Sequence, residues 1–401
     1  MPVLTRSERL PVALAYTAFV LVGVNAGVSG VLLPAQIRDY GVDKATIGII
    51  FFTGSAGFVL AGLSAGALIH RFGLRIALAV GCGAYVLAGL YTATRPPFLA
   101  FVGIQVIVGY GMGVQESVLT VYLTDLPDAT TLLNRLHAFF GVGALLGPLL
   151  SAWMLGFASW PTVWLVLAVA SGPLVIGALL IFPRPEPPHA NSKESQPGHA
   201  GLLTAALRDR GVVLGTILLA VYVGLEIGVG NWGFSYLVEE RGQRDLIAGY
   251  TVSGYWLGLT LGRFLISPLA TRLGYTAVDM IFACLAGVTA IAAVTWLLPM
   301  AASASIGFVL LGFFLGPIFP TTIAMMPNST VPRLVPTAIG VMNAGSVVGG
   351  SVLPWSAGAI AQGVGAWTLL PFSAALALVQ LVIWWRLSRR IPTGQPRPKE
   401  R

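Results

Sequence analysis

Twelve apolar runs, each about as long as a bilayer crossing and divided only by short polar segments, constrain this chain more than any other feature. A hydrocarbon layer takes roughly 20 apolar residues as helix, and helix satisfies each backbone amide within its own segment where water is absent. Helices are therefore predicted at 10–33, 46–69, 75–94, 98–123, 131–157, 161–182, 212–237, 247–270, 276–298, 303–326, 335–359 and 366–387. Only 9% of residues are charged, against about 25% in soluble domains, so lipid must be the solvent for most side chains. Twelve crossings leave little of the 401 residues for a soluble domain. The expected fold class is an all-α membrane protein with twelve transmembrane helices in two pseudo-symmetric six-helix bundles. The first run is too long for a cleavable signal peptide and lacks a small-residue cleavage site.

The formal charge of +8 does not point to nucleic acid, because the basic residues sit between apolar runs and at the chain ends. An even number of crossings puts both termini on one side. With the termini in the cytoplasm, 17 of the 23 Lys and Arg fall on that side. Arg38, Lys44, Arg95, Arg241 and Arg244 fall outside, and Arg263 lies within a helix. The positive-inside rule then predicts a multi-pass protein of the cell membrane with cytoplasmic termini. Cys82 and Cys284 lie inside apolar runs and read as small core residues, not as a disulfide or metal site.

The one long polar stretch, 183–210, holds PRPEPPHANSKESQPG and reads as a flexible linker, since it cannot bury a core. It divides the chain into a first bundle at 1–183, a cytoplasmic linker at 184–210, a second bundle at 211–390 and a tail at 391–401. The two halves repeat at an offset of 201–202. Leu68-x-x-Arg71-x-Gly73 returns as Leu269-x-x-Arg272-x-Gly274, and Asn25-x-Gly27-Val28 as Glu226-x-Gly228-Val229. Gly143-xxx-Gly147 returns as Gly345-xxx-Gly349. Parallel repeats about the membrane normal place a binding site near the midplane, between the halves.

The segment GALIHRFGLR at 66–75 resembles the signature between helices 2 and 3 of the major facilitator superfamily. The resemblance implies close helix approach at Gly66 and Gly73, with Arg71, Arg75 and Arg272 at the cytoplasmic surface; His70 replaces the family's acid. A finer resemblance is to the fucose/glucose–proton symporter family. It runs through YVGLEIGVGNWGFSYLVEE at 222–240, GRF at 262–264, Glu116 in GVQESV, LNRLHAFFGVGALLG at 133–147, Pro320-Thr321 and Gly349-Gly350. Departures are Gly30 for an acid in the first helix, His137 and Phe140 for polar positions in the fifth, and Phe319 for a tyrosine. They imply a cavity less polar than a sugar site. Gly143-xxx-Gly147-Pro148-xx-Ser151-Ala152 resembles an element of drug–proton antiporters. Small residues there let the fifth helix approach the eighth or eleventh, and the same pattern serves ordinary packing equally well.

Of 15 acidic residues, only Glu116 and Glu226 fall well inside predicted crossings. A carboxylate at the bilayer centre costs at least ~2.5 kcal/mol, so such a group is protonated, paired or wet, which suits it to carry protons. A protonated glutamate in one interhelical hydrogen bond is the plain alternative. Similar depth suggests a Glu116–His137 proton pair; His137 bonded to a carbonyl or to Asn134 is equally consistent. Asn25, the repeat mate of Glu226, is expected to face it across the cleft. Gln115, Asn134, Asn231, Trp232, Tyr255, Phe319 and Asn343 are further substrate-binding candidates, Trp232 serving alternatively as an interfacial anchor. Arg263 is expected to snorkel towards the cytoplasm as a gate or packing charge, beside Gly143, Gly147, Pro148 and Arg272.

The reading is a proton-coupled carrier of a small organic solute, sugar-like or moderately apolar, working by alternating access. Its alternative is a proton-antiport exporter of drugs or hydrophobic metabolites. The chain has no P-loop, no metal-spaced Cys/His cluster and no triad, so no enzyme, no metal and no cofactor is expected. A channel would need a continuous polar file of residues, and a membrane sensor would leave both glutamates unexplained. The expected partners are the solute, protons and the lipid bilayer, with no nucleic acid, and the chain is expected to act as a monomer.

Overall fold

A computed structural model describes residues 6–182 and 199–390; most of the expected linker and the tail 391–401 lie outside the described residues. Among these, every regular element is a helix. They are α1 (Arg6–Tyr40), α2 (Lys44–Ile47), α3 (Ile49–Ala93), α4 (Phe98–Thr124), α5 (Ala129–Leu155), α6 (Trp160–Ile181), α7 (His199–Arg208), α8 (Arg210–Glu239), α9 (Asp245–Arg272), α10 (Ala277–Leu297), α11 (Ala301–Leu315), α12 (Ile318–Met325), α13 (Val335–Gly363) and α14 (Leu369–Ser388). Ten stretches are long and apolar enough to cross a membrane. One of them, Lys44–Ala93, spans 50 residues and bends back on itself at Gly73, whose φ of 76° is open to glycine and strained for other residues. The helix α9 has 28 residues but is more polar, with Thr251, Ser253, Thr260 and Arg263 along it.

The internal repeat is visible in three dimensions. Gly274, the mate of Gly73, makes the same turn with φ 77°. In the first half α1 packs on α5, and α3 on α4 and α6; in the second, α8 packs on α13, α9 on α11, and α10 on α14. Matched glycines bring these pairs together. A Cβ on Gly143 would lie 1.9 Å from the Val20 carbonyl oxygen, and one on Gly349, the mate of Gly147, 1.9 Å from that of Ala220. Likewise Gly57 of α3 meets Val106 of α4, and Gly258 of α9 meets Val309 of α11. Backbones this close exclude any side chain at those positions.

Gly143 and Gly147 thus serve the α1–α5 contact, not the expected approach to the eighth or eleventh crossing; it is Pro148 whose carbonyl meets Gly249 of α9. Gly66 has no atom within 4 Å of its would-be Cβ, so the expected close approach there is not made in this structure, and Gly73, expected to do the same, makes a turn instead. The end of the expected linker is also ordered. Helix α7 is amphipathic, burying Ala206 with Val212, Met326, Ala338 and Met342 beneath it. Asp209 then starts α8, accepting from the amides of Gly211 at 2.7 Å and Val212 at 3.1 Å, the bonds that an N-cap supplies.

The outer surface carries large exposed apolar side chains, among them Leu63, Leu99, Leu180 and Val348, which only lipid would cover. One end of the molecule, called here the terminal face, is where α1 begins and α14 finishes. The other, the opposite face, carries the turns between α1 and α3 and between α8 and α9.

Candidate functional site: a polar centre between the halves

In the first half, Asn25 of α1 is buried and fully engaged. Its Oδ1 accepts from the Tyr85 hydroxyl at 3.1 Å, and its Nδ2 points at Met112 Sδ on α4, also at 3.1 Å. The residue expected to reach across the cleft is therefore held within its own half by α3 and α4. Gln115 is likewise withdrawn: it is buried against α3 beside Gly81, and its amide donates to the carbonyl of Gly111 at 3.2 Å. Glu116 follows Met112 by one helical turn, eight residues from the end of α4, or roughly 12 Å in depth at 1.5 Å per residue. Among the described residues no hydrogen bond or ion pair joins it to His137. The physical reason is packing: α4 lies on α3, whereas α5 lies on α1 and α9.

His137 faces elsewhere. Its imidazole stands edge-on to Phe19 of α1, ring centres 5.8 Å apart, and within electrostatic reach of Arg263 on α9. The α5–α9 seam, closed where Gly141 meets Thr260, brings these two residues from different halves together. Asn134, one turn nearer the terminal face, is exposed, as is Asn343 of α13.

In the second half, Glu226 of α8 pairs with Arg263, Oε1 to a guanidinium nitrogen at 3.4 Å. Arg263 does not snorkel. It lies nine residues before the end of α9, and its side chain turns inward to the carboxylate. Each ion alone would cost about 2.5–3.5 kcal/mol at the centre of a crossing, which favours the pair over either charge alone. Tyr255 donates from its hydroxyl to the Glu226 backbone carbonyl at 2.9 Å, and Tyr222 to the Leu315 carbonyl at 3.0 Å. Phe319 lies on the Tyr222 ring, centres 5.9 Å apart. The Arg263 Nε is buried without a partner.

The halves are clamped at the opposite face. Lys44 Nζ meets Glu239 at 2.5 Å, the Lys44 amide donates to Gln362 at 3.1 Å, and Trp355 Nε1 donates to the Ala45 carbonyl at 3.1 Å. Phe51 and Phe52 stack edgewise on Trp232 and Trp355. Trp232 is neither an interfacial anchor nor open to a solute here: its Nε1 donates to the Pro354 carbonyl at 2.7 Å and its ring covers Gly358. Asn231 is at the seam itself. Its Nδ2 bonds Ile227, its Oδ1 is buried without a partner, and its Cα would lie 2.6 Å from a Cβ on Gly30. The glycine that replaces the resembling family's acid is thus where α1 touches α8. At the terminal face His70, Arg71 and Arg272 are exposed and Arg75 is half-buried; Arg71 rests on the Phe72 ring.

Sequence reasoning missed the Arg263 partnership, Tyr222 and the Lys44–Glu239–Trp355 clamp. Arg263 is the Lys or Arg that lies deepest inside a predicted crossing, and its match to an acid within a crossing was the available signal.

The family model for the Major Facilitator Superfamily matches residues 15–302 and 234–401. The chain belongs to this superfamily. Within it, the chain is 26% identical over 422 residues to bypass of stop codon protein 6 of Saccharomyces cerevisiae, covering 96% of this chain and 84% of that protein. It is 24% identical over 383 residues to the glucose/galactose transporter of Brucella abortus, covering 86% of each. The fold matches the crystal structure of a bacterial homolog of the human lysosomal transporter Spinster, in an inward-facing and occupied conformation. That match has a TM-score of 0.78 at 13% identity, over 99% of this chain and 100% of that one. As a member of the superfamily, the chain has transporters, not enzymes, for relatives and fold neighbours, and its many apolar helices make it a multi-pass membrane protein.

Proposed function

We propose that this chain is a secondary active transporter that couples a small organic solute, sugar-like or moderately apolar, to protons by alternating access. Twelve crossings carry it, α3 supplying two around Gly73, α11 with α12 one, and the more polar α9 one. They form two bundles, 1–183 and 211–390, joined by the cytoplasmic linker 184–210 and followed by the tail 391–401. The terminal face lies in the cytoplasm, the protein sits in the cell membrane as a monomer, and the clamp at Lys44 closes the outer side.

The observation that carries this reading is the pair of mid-depth carboxyl groups: Glu226 ion-paired across helices, and Glu116 without a hydrogen bond or ion pair among the described residues. The balance between the charged and neutral carboxyl follows its surroundings, so each can take up a proton in one state and release it in the other. His137, within electrostatic reach of Arg263, is a third ionisable group near this centre. Arg71, Arg75 and Arg272 would make and break contacts at the cytoplasmic face as the halves rock, with Gly73 as a fixed turn. The Brucella relative's named substrates, glucose and galactose, are the first to try. In proteoliposomes, an acid-outside gradient should accelerate uptake of the transported solute several-fold, and a protonophore should remove the stimulation. Uptake indifferent to both would refute proton coupling.

The half-buried Phe319 against Tyr222 favours a second reading, export of apolar compounds by proton antiport. Gly143 and Gly147 add less to it, since both are occupied by α1. The sign of the gradient that accelerates flux separates import from export.

A further inference from the structure

Several of the polar groups that a neutral sugar would need are already committed. Asn25 is held by Tyr85 and Met112, the Gln115 amide by Gly111, and the Asn231 amide by Ile227. The hydroxyls of Tyr222 and Tyr255 are given to the carbonyls of Leu315 and Glu226. What these two tyrosines and Phe319 still offer is aromatic surface.

One strong donor stands out as under-used. A guanidinium presents five N–H groups in a planar fork matched to a carboxylate. Arg263 meets Glu226 at 3.4 Å, longer than the ~2.7–2.9 Å of a charge-assisted bond, and its other side-chain partner is the neutral Tyr222 hydroxyl. Its Nε is buried and unpartnered, while the side chain remains 29% exposed. Glu226 is therefore a loose, exchangeable partner.

We infer that the transported solute carries a carboxylate, that Arg263 receives it in a two-pronged contact, and that Glu226, displaced from the guanidinium, takes up the coupled proton. This inference rests on the carrier reading and narrows its substrate class to organic monoanions. The balance is simple: Arg⁺ paired with Glu⁻ becomes Arg⁺ paired with the solute carboxylate, plus a neutral glutamic acid. One monoanion and one proton enter together, and the net charge of the site does not change. The groups facing this exchange are Tyr222 on α8, Tyr255 on α9 and His137 on α5. Helices α11, α12 and α13 carry no ionisable residue, and those of α1 and α14 lie towards the helix ends. Among the described residues Glu226 is the one carboxylate that acts on Arg263.

The test uses the purified full chain and two matched pairs, phenylacetate with its isosteric amide phenylacetamide, and gluconate with glucose. Binding is measured by calorimetry at several pH values. The acids should bind at least tenfold more tightly than their neutral partners, and weaken about tenfold per pH unit once Glu226 is ionised. Arg263→Gln and Arg263→Lys should each lose roughly 10- to 100-fold in acid affinity, as expected for a charged hydrogen-bonded contact. The lysine variant guards against misfolding, because it keeps the charge and loses only the fork. Glu226→Gln should retain acid binding and lose its pH dependence. Equal binding of acid and neutral partner, or acid binding indifferent to both Arg263 variants, overturns the inference. Proton-coupled counterflow of glucose without acid binding would overturn it while leaving the carrier intact. Absence of flux for all four compounds would overturn both.

Discussion

At the scale of single residues, Glu116 and Glu226 differ in what holds them, and their substitutions should differ accordingly. Glu116 has no hydrogen bond or ion pair among the described residues, so Glu116→Gln should leave the thermal midpoint in detergent unchanged while abolishing gradient-driven uptake. A midpoint that falls by many degrees would mean the side chain is structural. Arg263→Ala leaves Glu226 without its pair, and breaking a buried pair costs about 3–5 kcal/mol where both charges are desolvated. The partial exposure of Arg263, 29%, discounts this to about 1–2 kcal/mol, measurable by thermal unfolding and absent from the double variant Arg263→Ala with Glu226→Gln. Both glutamates were legible in the sequence because an acid inside an apolar run has few structural uses. Their partners were not. Whether Asn25 turns to Glu226 or to Tyr85, or Glu116 to His137 or to neither, depends on which helices adjoin, and repeat spacing alone does not say that.

At the scale of helices, glycines set the contacts. Gly143→Leu and Gly349→Leu would each drive a side chain into a facing backbone, at Val20 and Ala220 respectively. Overpacking of that kind costs about 1–3 kcal/mol, and each should lower the thermal midpoint. Gly66→Leu, facing open space, should not, despite its place in the family signature. Gly73→Ala forces an L-residue to φ 76°, a strain of roughly 1–2 kcal/mol. The apolar runs made the helices readable from sequence nearly throughout; Gly73 was read as a point of close helix approach and Gly274 only as its repeat mate, and both are turns. Helix α7 was not readable, because its Pro- and Ser-rich approach masked a short amphipathic stretch that is stable only against Met326 and Met342. The Gly143–Pro148 element shows the same limit: a small-residue stripe announces a close contact without naming the partner.

At the scale of the whole molecule, two halves meet through a seam and a clamp. The Lys44–Glu239 pair is half-exposed on the acidic side, and exposed pairs contribute about 0.2–1 kcal/mol. Lys44→Glu should therefore shift the balance towards the open outer side by no more than about fivefold, with Trp355 and the phenylalanine contacts holding the rest. Ser235, buried behind Lys44, reports this shift: as Ser235→Cys it should react faster with an impermeant maleimide in the Lys44→Glu background. The charge-swapped pair Lys44→Glu with Glu239→Lys should return the rate to its starting value. Unchanged labelling would show that the clamp does not govern access.

Proton movement is read most directly with a pH-sensitive dye sealed inside proteoliposomes, with solute added outside and no imposed gradient. The wild-type chain should acidify the lumen as transported solute enters, and Glu226→Gln and Glu116→Gln should move solute by counterflow without acidification. Acidification by both variants at the wild-type rate would contradict the assignment of coupling to these two carboxyl groups.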